Sequence, residues 1–249
     1  MKNFLKTVGI LALVLIGIIA LYIVACGSVV AEISAFPQTS PAQYITDFTL
    51  LEEKSYEISE GDISMKIPTS YATTNLRDYY MIFGESKSTK STICVYYKPL
   101  QHVAGKLGLE NEFKEYLDAI KLLEEDKPDY PINLFFDIPD DIFELYKKVS
   151  TADKNNFKFW NLASALETSY YLGTRQTLQD NGINIFAIYE RDNVRATIFN
   201  NSELENYYIV MLHKNNLAND TYLFAVETTE LDEIIKILNS FEYKTGLGF

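Results

Sequence analysis

Histidine and cysteine are almost missing from this chain, with two of each in 249 residues. Two cysteines exclude a disulfide framework and a zinc site built on thiolates. His102 and His213 have no ligand-type residue three or four positions on, so no metal site and no cofactor is expected. No G-x-S-x-G elbow occurs, and Gly105-Lys-Leu-Gly108 lacks the spacing of a phosphate loop. Positive charge is also scarce: 22 Lys and Arg face 34 Asp and Glu, a net charge of −12. So acidic a chain is repelled by phosphate backbones, which excludes nucleic acid as a partner. Proline is sparse at seven residues while 47% of the chain is hydrophobic, which excludes a disordered or collagen-like protein. The length admits one large domain or two small ones, with room for a sizeable core.

The N-terminus carries the strongest positive signal. Lys2 and Lys6 precede an uncharged run from Thr7 to Ala31, and the first acid is Glu32. Its most apolar part, residues 8–25, spans ~27 Å as a helix, close to the hydrocarbon thickness of a bilayer. Lysines on that flank orient the N-terminus toward the cytoplasm and place the rest on the extracytoplasmic side. Ile23-Val24-Ala25-Cys26 resembles the lipobox of bacterial lipoproteins, and the resemblance implies lipidation of the Cys26 thiol. Tyr22 interrupts the aliphatic run that such a motif usually follows. Two other outcomes stay open: cleavage after Val29-Val30-Ala31, or retention as a single-pass anchor. Residues 1–31 are thus a signal peptide or membrane anchor. Removing residues 1–25 takes away two lysines and no acid, leaving 20 basic against 34 acidic residues. Such a domain is held off an anionic surface, which suits a tether, and residues 32–54, with Pro37 and Pro41, read as the linker.

Residues 55–245 read as one extracytoplasmic domain. Ile63 to Ile67 alternates and stops at Pro68, a strand with a hard end. Tyr79 to Gly84 and Thr92 to Lys98 are β-branched and aromatic runs joined by a polar turn. In the second, alternation sets Ile93 and Val95 against Cys94 and Tyr96, so Cys94 is expected to be an inert core thiol. A helical middle covers 109–173. Leu109, Phe113, Leu117, Ile120 and Leu123 share one helical face, Asp140 caps a second helix, and 155–172 form a third that Gly173 stops. Four strands follow, at 183–190, 194–199, 207–213 and 221–227, with turns at Asp180-Asn-Gly182 and Arg191-Asp-Asn193. A final amphipathic helix carries Leu231, Ile234, Ile235, Leu238 and Phe241 on its buried stripe, capped by Thr229 with Asp232 in the capping-box position. Strands grouped in blocks predict an α+β fold with a mainly antiparallel sheet packed by helices. A faint internal echo links Tyr79-Tyr80-Met-Ile to Tyr207-Tyr208-Ile-Val, each followed by a turn, a strand and a helix.

Three stretches together resemble the PsbP/Mog1-type domain of exported bacterial lipoproteins and thylakoid-lumen proteins. They are ISMKIPTSY at 63–71, TYLFAVETTE at 221–230 and LDEIIKILNSF at 231–241. In that family the opening strand ends at a proline and the closing helix ends in Ser-Phe, matched here by Ile67-Pro68 and Ser240-Phe241. The chain departs from the family in its long helical middle and in lacking the aromatic opening with tryptophan. The resemblance implies an α–β–α sandwich and a non-enzymatic binding or assembly role, and no catalytic residue carries over.

Aromatic content carries the remaining functional signal. There are 18 Tyr and 15 Phe, and tyrosines pair at 79–80, 96–97, 170–171 and 207–208. In a strand, adjacent residues point to opposite faces, so each pair places one ring inward and one outward. Where helices cover both faces these are core rings, and where one is bare Tyr80, Tyr97 and Tyr208 or their neighbours form an aromatic platform for a protein or a sugar chain. The acidic cluster Asp137, Asp140, Asp141 and Glu144 lacks the glycine and the spacing of a calcium loop, and helix capping explains it. The expectation is a membrane-tethered, protein-binding, non-enzymatic envelope protein. The alternatives are an envelope hydrolase using carboxylates with His213 at a strand-end rim, and an immunity-type lipoprotein whose acidity suits a basic toxin.

Overall fold

The computed structural model describes residues 2–38, 42–45, 55–60, 63–76, 81–86, 91–96, 98–99, 102, 139, 141–158, 160–201, 206–214, 221–228 and 231–244. Helix α1 runs from Lys2 to Ala35 and stops just before Phe36-Pro37, because a proline disfavours the helical conformation in the residue ahead of it. It is long and apolar enough to cross a membrane. Helix α2 spans Ile142–Thr151, α3 spans Leu162–Asp180 and α4 spans Leu231–Asn239.

Strands β1 (Gln43–Ile45), β2 (Ser55–Glu60), β3 (Ile63–Pro68), β4 (Tyr71–Leu76), β5 (Met81–Ser86) and β6 (Ser91–Tyr96) precede α2. After α3 come β7 (Ile183–Arg191), β8 (Val194–Asn201), β9 (Tyr207–His213), β10 (Thr221–Glu227) and, beyond α4, β11 (Glu242–Tyr243). Among the described residues they form an eight-stranded sheet in the order β1-β7-β8-β9-β10-β6-β5-β4 and a three-stranded sheet in the order β11-β3-β2. Every pairing is antiparallel except β1 on β7, so the fold is α+β with a mainly antiparallel sheet. The large sheet consists of two meanders, β4–β6 and β7–β10, joined where Cys94 of β6 lies opposite Ala225 of β10. Tight turns make this possible: Gly182 (φ 75°) leads into β7, and Asp192 (φ 51°) turns the chain into β8, a left-handed conformation that a short polar residue tolerates.

Alternation divides the large sheet into two faces. On one, Ile93, Val95, Tyr189, Ile198, Val210, Leu212, Tyr222 and Phe224 are buried beneath α4 and the small sheet, which contribute Ile234, Ile237 and Leu238 and Ile63, Met65 and Ile67. Burying that many branched and aromatic side chains is the main source of the domain's stability. Helices α2 and α3 lie on the opposite face. Ile142 and Tyr146 pack there on Phe199 and Met211, while Leu145 and Val149 pack on Tyr171.

The structure departs from the sequence expectations at several points. Residues 32–54 are not wholly a linker: 32–35 continue α1, and 43–45 form the edge strand β1, paired in parallel with Ala187 to Tyr189. Gly173 lies inside α3 instead of ending it. The Phe36 ring approaches to 3.7 Å of where a Cβ would stand, so a small residue there admits the chain leaving α1. Asp141, not Asp140, caps α2, accepting from the Phe143 N–H at 2.9 Å. The helix expected at 109–123 and the Thr229 cap lie outside the described residues.

Candidate functional site

Of the three residues named for the aromatic platform, Tyr208 is the one that can be placed. Tyr80 and Tyr97 lie outside the described residues. Tyr208 sits opposite Val226, on the face covered by α4 and the small sheet, and packs at the core margin with Phe186 edge-on at 5.4 Å. The outward ring is its neighbour Tyr207. It shares the other face with Cys94, Tyr96 and the 40% exposed Phe83, since Phe83 and Ala225 both lie opposite Cys94. Burial raises Tyr207 above its ordinary range and pushes Tyr96 up to about 12, so neither ring is a proton carrier near neutrality.

Cys94 is half-buried rather than enclosed in the core. Burial raises its thiol, and a hydrogen bond with Tyr96 offsets this in part, so little of it is thiolate at neutral pH. Cys26 lies within the continuous helix α1 and is 2% exposed, on a stripe with Val29 and Ile33. Val29 and Ile33 pack on Ala165 and Leu172 of α3.

His213 does not sit at a loop rim. It ends β9 on the helix-covered face, 2% exposed, between the rings of Phe143 (5.7 Å) and Tyr146 (6.3 Å). Burial lowers it to about 4, with Arg195 acting in the same direction and Asp141 against it. Its Nε2 lies 3.2 Å from the Thr197 hydroxyl, and Nδ1 has no hydrogen-bond partner among the described residues. A hydroxyl beside a neutral imidazole is the geometry of an activated nucleophile. Here both groups are sealed beneath α2, with Thr197 fully buried, so a substrate cannot reach them.

Two ion pairs hold α2 in place above this histidine. Asp141 accepts from Arg195 of β8, whose guanidinium also lies 5.3 Å from the centre of the Phe143 ring. Lys147 donates to Glu190 of β7 at 2.6 Å, and Tyr44 of β1 donates to the same carboxylate at 3.3 Å. That hydrogen bond to Glu190 is the main reason Lys147 is raised above its ordinary range. In the acidic cluster, Asp141 and Glu144 are occupied by Arg195 and Lys147, and Asp137 and Asp140 lie outside the described residues. Among the described residues no three His, Cys, Asp or Glu converge as metal ligands.

Described residues line a polar and an apolar depression on the surface. The larger, about 330 Å³, is polar and lies between the β7–β8 turn, the end of α4 and β11, lined by Arg191, Asp192, Asn193, Asn239 and Glu242. Much of its polarity is engaged within the protein. Tyr189 donates to Asn239 Oδ1, Arg191 donates to the Asn239 carbonyl at 3.0 Å and pairs with Asp192 at 3.4 Å. The smaller, about 120 Å³, is apolar, at the seam between α2, the C-terminal end of α3 and strands β7–β9. Tyr146, Leu178, Ile183, Phe199, Ile209 and Met211 line it. Ile183, at the rim, is 41% exposed. Asn200 also borders it, but the register pairs Asn200 with Tyr208, so its side chain belongs to the opposite face.

The apolar depression was not foreseen, although a signal for it exists. Ile185, Phe199, Ile209 and Met211 make β7–β9 apolar on both faces, the pattern of strands covered twice. Compared with known proteins, the chain matches no family model and no curated protein.

Proposed function

We propose that this is a membrane-anchored, extracytoplasmic binding protein of a cell envelope, with a PsbP/Mog1-like domain that holds a partner protein through the apolar depression beside α3. The observation that carries the reading is the lining of that depression: six apolar or aromatic side chains around about 120 Å³, with the exposed Ile183 at the rim. A space of this size takes one branched or aromatic side chain, the kind of anchor around which protein interfaces concentrate their energy. Supporting the PsbP/Mog1 likeness, its two signature points meet in space: the Lys66 N–H, next to Ile67-Pro68, donates to the Ser240 hydroxyl at 2.8 Å. The orientation rests on Lys2 and Lys6, which favour a cytoplasmic N-terminus.

A photo-crosslinking residue at Ile183, compared with one at Asp192 beside the polar cleft, tests this in intact host cells. One adduct of defined mass at 183, absent at 192 and lost when Ile209→Asp is added, is the expected result. Equal labelling at both positions, or none at 183, refutes the proposed surface.

A further inference from the structure

Helix α1 changes character along its length. Val14, Leu15, Ile16, Ile18, Ile19, Leu21, Ile23 and Val24 are all at least half exposed, as expected of a surface facing lipid. From Cys26 onward one stripe is buried on the domain instead: Cys26, Val29 and Ile33, at the spacing of one helical face. The 19 steps from Lys6 to Ala25 cover ~29 Å, about one hydrocarbon thickness. The helix therefore leaves the bilayer near Ala25 and continues without a break along α3.

The domain meets α1 below that exit point. The Tyr22 hydroxyl donates to the Trp160 carbonyl at 2.8 Å and accepts from the Leu162 N–H at 3.3 Å. Leu162 opens α3, so a side chain of the anchor satisfies one of the four amide groups that a helix start leaves over. These bonds hold the turn before α3 at the level of Tyr22. Trp160, the single tryptophan of the chain, is 71% exposed there, next to the exposed polar residues Asn155, Asn156, Lys158 and Asn161. Tryptophan and tyrosine favour the headgroup level of a bilayer, where an apolar ring and a polar group are both satisfied. Lysine beside them reaches outward to the phosphates.

We infer that Trp160 and the start of α3 form a second membrane contact, in which Trp160 lies in the headgroup layer of the leaflet that α1 leaves, and that Tyr22 positions it. The contact rests on the reading of α1 as a retained anchor. It gives the domain a fixed stance on the bilayer where a flexible tether leaves it free. Cleavage before Cys26 removes Tyr22, and with it both bonds to the turn.

The test uses the full chain in phosphatidylcholine nanodiscs carrying bromine on the lipid chains, either at carbons 6 and 7 or at carbons 11 and 12. Because the chain has one tryptophan, its emission reports this site alone. Shallow bromines should remove roughly half of the emission and deep bromines clearly less. Tyr22→Phe should weaken the shallow quenching while the protein stays integral to the membrane. No quenching by either lipid, with an intact mass of 249 residues and resistance to carbonate extraction, overturns the second contact and leaves the anchor standing. Stronger quenching from the deep position also overturns it, and unchanged quenching in Tyr22→Phe removes the positioning role. A mature chain recovered from host membranes beginning at Cys26 or later overturns the contact and the retained anchor together.

Discussion

His213 makes the stability of this protein depend on pH in a way that can be worked out from its surroundings. Unfolded, the imidazole titrates near 6.5, whereas burial between Phe143 and Tyr146 lowers it to about 4. Between those limits the unfolded chain takes up a proton that the folded chain refuses. Stability therefore rises with pH through the window and falls as pH drops through it. Free energy follows at 1.36 kcal/mol per factor of ten, so this one group removes about 2 kcal/mol by pH 5 and about 3 kcal/mol by pH 4. Carboxylates begin to titrate at the lower end, so the effect is read as a difference from His213→Leu. That variant costs about 1–2 kcal/mol at pH 7, because the buried Thr197 hydroxyl loses its partner. The assay is urea unfolding of the detergent-solubilised full chain between pH 7.5 and 4.5, followed by near-ultraviolet circular dichroism. The gap between the two proteins should close by about 2 kcal/mol on going from pH 7 to pH 5. Parallel curves would refute the reasoning, and would mean that water or Asp141 stabilises the imidazolium as well as bulk solvent does.

Two further perturbations test the seams of the helical layer. Asp141→Ala removes both the cap on Phe143 N–H and the carboxylate facing Arg195, and should cost about 2 kcal/mol in urea unfolding. Asp141→Asn keeps the cap and should cost about half as much. At Gly173, an added methyl meets Phe36 at an ordinary contact distance, so Gly173→Ala should stabilise α3 by about 0.5–1 kcal/mol. Gly173→Leu should instead displace the Phe36 ring and lower the melting temperature, and equal melting temperatures for the two variants would argue against that packing.

Much of the architecture was legible because it is local. The unbroken apolar run marks α1, period-two alternation marks β3 and β6, and apolar blocks between Asn- and Gly-bearing turns mark β7–β10 to within one or two residues. The stripe on α4 was readable for the same reason. β2 and β4 were missed because SYEISE and YATTNL carry few of the branched apolar residues that announce a strand. The candidate site was less accessible still. Alternation separates Tyr207 from Tyr208 but does not say which of the two meets the covered face.

By itself, the sequence determined the elements, the apolar N-terminal helix and the antiparallel α+β class, since each follows from periodicity and turn chemistry within a dozen residues. Tertiary structure decided that β6 pairs with β10, that a strand from the supposed linker forms the sheet edge, that His213 is sealed beneath α2 and that the C-terminal end of α1 docks on α3. Those outcomes join segments scores of residues apart. They are selected by which remaining apolar surfaces and unpaired backbone groups can be buried together, and a local pattern holds no information about that competition.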